Sequence, residues 1–252
     1  MAGFFRKFQE SQRPFCTALV AAAGASERMK CGGSKLLLPL DGVPVFALTM
    51  QALERAGRVD AIVVAAREED ILPFSDLCRT YGITKPVKII CGGASRTESV
   101  LRAALEADQR TRLLAVHDGA RPLAAPELID AVIQKAARCG AAAPFVPMKD
   151  TVKIAADGKI QSTPDRRTLV AVQTPQVFEA DLLKAALQAV LQAGGTVTDD
   201  CAAVERLGKI VYLTEGSEEN IKITTPLDLA VAETILEERR DGCDKPAGRT
   251  GV

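Results

Sequence analysis

Six short apolar runs alternate with stretches of helical spacing, and this alternation limits the fold more than any other feature of the chain. The runs lie at 17–23, 61–66, 87–91, 113–117, 141–146 and 210–214, and the helical stretches at 45–56, 68–81, 96–107, 126–139, 179–193, 200–207 and 226–239. A short run that is apolar throughout, without polar alternation, fits a strand buried on both faces. Helices between such strands predict an α/β fold, a doubly wound, mostly parallel sheet covered on both sides. Pro126 with Glu127 and Pro226 with Asp228 mark helix starts. Gly57, Gly82, Gly140 and Gly194 stand where helices end.

Residues 147–173 break the rhythm. They read as two β-like runs around Asp157-Gly158, a pair suited to a tight hairpin turn. Two strands alone are marginal in water. The hairpin is therefore expected either as a β-arm that leaves the main domain and packs on another subunit, or as a hairpin folded back on its own sheet. The expected organisation is an N-terminal extension at 1–15, one domain at 16–239 with the arm at about 147–173, and a disordered polar tail at 240–252. Phe4, Phe5 and Phe8 read as part of a loosely packed terminus rather than a membrane contact.

Composition removes several function classes. A formal net charge of zero argues against a nucleic-acid partner, and the absence of Trp leaves little for base-stacking platforms. Seven cysteines at wide spacing, with no C-x-x-C, suit reduced thiols in the cytoplasm rather than a disulfide framework or a zinc site. No apolar stretch approaches the length of a membrane span, and the first fourteen residues lack the apolar core of a signal peptide. A cytoplasmic protein without a membrane partner is expected.

The candidate site begins where the first run ends. Ala23, Gly24, Ala25 and Ser26 are small, and Arg28 and Lys35 follow. Small residues let backbone N–H groups approach phosphate oxygens, and two cations along such a loop suit a polyphosphate. Open α/β sheets bind ligands at this end of their strands. The segment is neither G-x-G-x-x-G nor a P-loop, since Leu36 follows Lys35. An ordinary loop with solvated cations remains the alternative. In a second segment Gly92 and Gly93 follow a strand, with Arg96 and Ser99 in the next helical turn. Paired glycines can lie against a flat base, or form a plain turn capped by Ser95. In a third, Asp118, Gly119 and Arg121 follow the strand 113–117. Asp118 is placed to hold a sugar hydroxyl or hydrated metal, and Arg121 to clamp a phosphate. His117, the only histidine, reads as structural. Lys149, Asp150, Thr151, Lys153, Asp165, Arg166 and Arg167 give the arm charges that could equally be a solvated face. Asp199-Asp200 stands at a helix start, where carboxylates also simply complement the helix dipole. Lys222 lies in a strand-like run, 220–225, and could face a ligand phosphate.

Together AAAGASERM with Lys35, GGASRTESV, VHDGARP, KDTVK, TPDR, QTPQVF, TVTDD and NIKITTPLDL resemble the 2-C-methyl-D-erythritol 4-phosphate cytidylyltransferases of the non-mevalonate isoprenoid pathway, across about residues 16–238. The resemblance implies a nucleotide-diphospho-sugar transferase-like fold whose β-arm interlocks a homodimer. It implies transfer of cytidylate from CTP to a polyol phosphate, with Mg²⁺ held mainly through the CTP phosphates. By position, Arg28, Lys35, Arg166 and Lys222 match the catalytic cations. Ala23, Gly24, Ala25, Ser26, Arg28, Lys35, Gly92, Gly93, Arg96, Ser99 and Asp118 match the CTP site. Asp118, Gly119, Arg121, Thr151, Arg166, Thr174 and Lys222 match the acceptor site, with Thr151 and Arg166 expected from the partner's arm. The chain departs from the family pattern at Ser26, Ser34, Leu36, Ala94 and Gly119. The rival readings are a ribitol 5-phosphate cytidylyltransferase, disfavoured by DGARPL, and a non-catalytic nucleotide-binding module, disfavoured by the four cations.

Overall fold

A computed structural model describes residues 13–24 and 34–244. Strands β1 (Cys16–Ala22), β4 (Ala61–Ala66), β5 (Val87–Cys91), β6 (Leu113–Asp118), β7 (Ala141–Pro147) and β12 (Tyr212–Glu215) match the six apolar runs to within a few residues. They join β10 (Val170–Val172) and β11 (Gln176–Glu179) in one sheet along the path β10-β7-β11-β6-β1-β4-β5, with β12 also on β7. The pairs β1/β4, β4/β5, β1/β6 and β7/β12 are parallel. β11 runs antiparallel to both β6 and β7, and β10 antiparallel to β7. The expected fold is therefore the observed one. The sequence reading missed β10 and β11, which insert an antiparallel turn into the parallel sheet.

Successive residues of the central strands feed two separate cores, as the two-residue period of a strand requires. Ala18, Val20, Ile62 and Val64 pack with helices α1 (Val45–Arg55), α2 (Ile71–Thr80) and α4 (Pro126–Cys139) on one face. Leu19, Val63, Leu114 and Val116 pack with α3 (Arg96–Leu105), α5 (Ala180–Gln192) and α6 (Asp200–Arg206) on the other. The final helix, α7 (Pro226–Asp244), adds Ala232 to the first core. Its continuation to Asp244 corrects the expected start of the tail at 240; residues 245–252 lie outside the described chain. Residues 1–12, including the three terminal phenylalanines, also lie outside it, whereas Arg13 is tied to Asp60 at 2.6 Å. Cys16, Cys78, Cys91, Cys139 and Cys201 are free thiols. Among the described residues no helix is long and apolar enough to cross a membrane.

The chain after β7 forms the expected hairpin, β8 (Ile154–Ala156) and β9 (Lys159–Ser162), turning through Asp157 at φ 52° and Gly158 at φ 71°. Two consecutive left-handed residues are what a type I′ turn needs. Every residue of both strands is exposed, including Ile154 and Ile160, so this tip does not fold back on its own sheet, whereas Val170–Val172, inside the bounds expected for the arm, pair with β7 in the main sheet. A second Asp-Gly turn, Asp41 at φ 52° and Gly42 at φ 75°, joins two short strands, β2 (Pro39–Leu40) and β3 (Val43–Pro44). The run 220–225 is not a strand but a loop, pinned by Ile223 N–H donating to Ala120 O at 2.8 Å. Most of its other backbone bonds are to side chains, and Asn220 N–H donates to the nearby Ser217 O, so no ladder forms.

Candidate active site

The chain proceeds from β1 to β4 and β5 on one side, then returns to place β6 on the other. A crevice is expected at the carboxyl ends of strands around such a reversal. Three segments converge there. Lys35 begins a short 3₁₀ turn, Lys35–Leu37, and its Nζ donates to Ile223 O at 2.7 Å. Leu36 beneath it is buried against Gly119: a Cβ there would lie 3.2 Å from Leu36 Cδ1 and 3.3 Å from Ala21 O. Two departures from the family pattern, Leu36 and Gly119, thus fit each other. Asp118, at the end of β6, meets Lys222 Nζ at 2.8 Å, Arg121 Nε at 3.6 Å and Arg96 Nη2 at 3.8 Å. Burial alone would raise this carboxyl, but Lys222, Arg96 and Arg121 outweigh it and hold it below its ordinary range.

The opposite wall is the Gly92–Gly93 turn. A Cβ on Gly92 would sit 2.6 Å from Ala23 Cβ and 2.9 Å from Ser99 Oγ, so the loops after β1 and β5 touch only because residue 92 has no side chain. Gly93 N–H donates to Ser99 Oγ at 2.9 Å, and Ser99 donates on to Ser95 O at 2.8 Å. Ser95 also caps α3, accepting from Glu98 N–H. Ser99 therefore shapes the turn from behind. Arg96 crosses from this wall to the Asp118 side and donates to Asp200 Oδ2 at 2.7 Å. Burial disfavours its charge, yet Asp200 more than compensates and holds the guanidinium above its ordinary value.

Behind Asp118 lies a buried strut that the sequence did not reveal. Asp118 N–H donates to Thr174 Oγ1 at 3.1 Å, and that hydroxyl lies 3.1 Å from His117 Nδ1. With its oxygen accepting, Thr174 donates its single hydrogen to Nδ1, which leaves Nε2–H to donate to Arg121 O at 3.3 Å. His117 is structural, as expected. Thr174, expected at the acceptor phosphate, is almost fully buried with its hydroxyl committed inward. Asn220 completes the floor: its Nδ2 donates to Thr174 O at 2.9 Å, while its backbone carbonyl accepts from Arg121 Nη1 at 2.5 Å.

Lys35, Gly92, Gly93, Arg96, Ser99, Asp118, Gly119, Arg121, Thr174 and Lys222 thus gather at one end of the sheet. Ala23 and Gly24 lead into the same crevice; Ala25, Ser26 and Arg28 lie outside the described residues. Thr151 and Arg166 are not brought in. Both are exposed on the arm, and Arg166 donates to Lys149 O at 2.6 Å across its neck. The arm nevertheless leaves from the end of β7, which runs in the same direction as β6.

The profile described as 2-C-methyl-D-erythritol 4-phosphate cytidylyltransferase (IspD) matches residues 16–238. A protein of that name from Trichormus variabilis is 42% identical over 222 residues, covering 88% of this chain and 97% of its own. Another from Bacillus cytotoxicus is 42% identical over 224 residues, covering 89% and 99%. The crystal structure of 4-diphosphocytidyl-2C-methyl-D-erythritol synthase from Anaerococcus prevotii superposes with a TM-score of 0.79 at 29% identity, covering 88% of this chain and 96% of that one. That of the cytidylyltransferase from Thermus thermophilus gives 0.71 at 30% identity, covering 88% and 99%.

Proposed function

Because this chain belongs to the 2-C-methyl-D-erythritol 4-phosphate cytidylyltransferase family, we propose that the crevice around Asp118 is where it performs that family's reaction. The protein is a cytidylyltransferase of isoprenoid biosynthesis: it joins CTP and 2-C-methyl-D-erythritol 4-phosphate to give 4-diphosphocytidyl-2-C-methyl-D-erythritol and pyrophosphate. The observation that carries the residue assignment is the convergence of Arg96, Arg121 and Lys222 on one carboxylate at the strand ends, with Lys35 bonded to Ile223 O in the loop that carries Lys222.

An acceptor phosphate oxygen attacks the α-phosphorus of CTP; a new P–O bond forms and the bond to pyrophosphate breaks. The nucleophile is already an anion, so no general base is needed. The task is to bring two polyanions together and neutralise charge on the α-phosphate and leaving group. Lys35, with Arg28, meets the α-phosphate. Lys222 orients the acceptor phosphate, and the Gly92–Gly93 turn, held in shape by Ser99, reads the cytosine. Asp118 serves the sugar hydroxyls, and Arg121 the acceptor phosphate. Magnesium fits as an ion carried mostly by phosphate oxygens: no cluster of three or more acidic, His or Cys side chains occurs among the described residues, and Asp118 is the carboxylate at the opening. Such an ion would supply positive charge against the departing pyrophosphate.

The unpartnered arm, with Ile154 and Ile160 exposed, supports a homodimer in which Thr151 and Arg166 serve the partner's acceptor site. Five free thiols among the described residues support a cytoplasmic setting. The test is pyrophosphate release from CTP and Mg²⁺ with either methylerythritol 4-phosphate or ribitol 5-phosphate. Release with the first alone is expected; release with the second alone transfers the reading to the sister activity, and CTP binding without turnover leaves only a binding module. Lys35→Ala should lower kcat by roughly 10²–10³ with its thermal unfolding unchanged. Near-normal turnover would remove Lys35 from the chemistry.

A further inference from the structure

We propose that Asp200 is a positioning residue for nucleotide binding: it keeps Arg96 from closing onto Asp118 beyond their 3.8 Å contact and aims its remaining donors at CTP. The inference rests on the cytidylyltransferase reading and extends it to a residue outside the crevice.

A carboxylate at a helix start is ordinarily explained by the cap and the dipole. Here those needs are met without the Asp200 side chain. Asp199 caps α6, its Oδ1 accepting from Ala202 N–H at 2.9 Å. Gln176 Oε1 accepts from both Asp200 N–H and Cys201 N–H at 3.1 Å, and its Nε2 donates to Asp199 Oδ2 at 2.8 Å. The Asp200 carboxylate turns away into the protein, where it is fully buried. Its Oδ2 accepts from Arg96, and its Oδ1 has no hydrogen-bond partner. A buried carboxylate is expensive to keep and rarely adds net stability, so its retention calls for a role in specificity.

That role follows from what Arg96 faces. Its Nη2 lies 2.7 Å from Asp200 and 3.8 Å from Asp118 Oδ1, whereas Nε and Nη1 make no hydrogen bond among the described residues. The side chain is about one-third exposed. Without Asp200, the nearest carboxylate for the guanidinium is Asp118, whose other oxygen already meets Lys222 and Arg121. Arg96 would then fold onto the group assigned to the sugar and withdraw its free donors from the nucleotide. With Asp200 in place, the fork is anchored by one corner from below and its other two nitrogens stay open. Gln176 makes the anchor rigid by fixing the first turn of α6.

The experiment is steady-state kinetics of the full-length protein with varied CTP and varied methylerythritol 4-phosphate. Asp200→Asn keeps the shape and removes the charge. It is expected to raise KM for CTP by about tenfold or more, the value of one hydrogen bond to a charged group. KM for the acceptor should stay within about twofold. Arg96→Gln should raise KM for CTP similarly, and the double variant should be no worse than Arg96→Gln alone, because Asp200 acts through Arg96. A residue that merely stabilises the fold would instead lower the melting temperature and shift both KM values together. If Asp200→Asn does not fold, Asp200→Glu displaces the charge by one methylene and should give the same selective rise. An unchanged KM for CTP in either folded Asp200 variant or in Arg96→Gln, or additive effects in the double variant, overturns the proposal. Wild-type turnover in the same assay separates these outcomes from a failure of the cytidylyltransferase reading.

Discussion

Acidification from pH 7 to pH 5 should destabilise this protein through one buried imidazole. His117 is completely buried, and burial pushes its pKa down to about 4; Asp118 pulls the other way and Arg121 adds to the fall. In the unfolded chain the same group titrates near its ordinary value of about 6.5. Between those values the unfolded state binds a proton that the folded state refuses. The contribution of His117 is therefore complete above about pH 6.5 and is lost as pH falls towards the folded pKa. Integrating between the two pKa values gives a loss of about 2 kcal/mol by pH 5, rising to about 3 kcal/mol at pH 4. For a chain of this size 2 kcal/mol corresponds to a fall in Tm of roughly 4–8 °C. Asp200, raised by burial against the pull of Arg96, works in the opposite sense because a raised carboxyl favours the folded state as pH falls. The comparison must therefore be made between wild type and His117→Gln, which share Asp200. Thermal unfolding followed by circular dichroism at pH 7 and pH 5 should show the fall in wild type and a much smaller one in His117→Gln. Equal falls in both proteins would show that His117 is not the buried neutral group of this structure.

Gly92→Ala should lower stability by about 1–3 kcal/mol, since the new methyl meets Ala23 Cβ at 2.6 Å and cannot move without displacing the β1 exit loop. It should also raise KM for CTP; wild-type Tm and KM together would refute the close approach. Ile160→Asp should convert a dimer to a monomer in light scattering with little change in Tm, because Ile160 is 66% exposed within one chain. A wild-type protein that is already monomeric would refute the interlocking arm.

What the sequence revealed about the fold depended on pairing geometry. The central parallel strands were legible because they are covered on both faces and so are almost wholly apolar, as in the AIVVAA of β4. The Asp157-Gly158 turn was legible because only a few dipeptides accept two left-handed residues. The same signal at Asp41-Gly42 went unused, since its flanking strands have two residues each and no periodicity to support it. Strand β11 was hidden in QTPQVF for a different reason. Val177 feeds one core and Phe178 the other, but Gln176 is spent on α6 and Glu179 ends the strand, leaving two apolar residues between polar ones. Lys222 misled in the opposite direction, because apolar neighbours in a loop pinned to Ala120 resemble a strand.

The site was legible where residues act through charge at strand ends, and illegible where they act through buried partners far along the chain. Arg96 and Asp200 are 104 positions apart, and nothing local distinguishes Asp200 from a second capping carboxylate. Thr174 could be matched to the acceptor site by order alone, yet its hydroxyl is committed to Asp118 and His117. The overall charge balance concealed the same site. Over the whole chain the formal charge is zero. Around the crevice, the described residues set Lys35, Arg96, Arg121 and Lys222 beside Asp118 and Asp200. Those charges are held at short range within partly buried walls, where screening is weak. Zero net charge over the chain is therefore compatible with a local cluster of cations suited to polyanions. The two carboxylates matter to that outcome as much as the cations. Asp118 holds Lys222 and Arg121, and Asp200 holds Arg96, so the cations stay spread along the crevice instead of repelling one another out of it before substrate arrives.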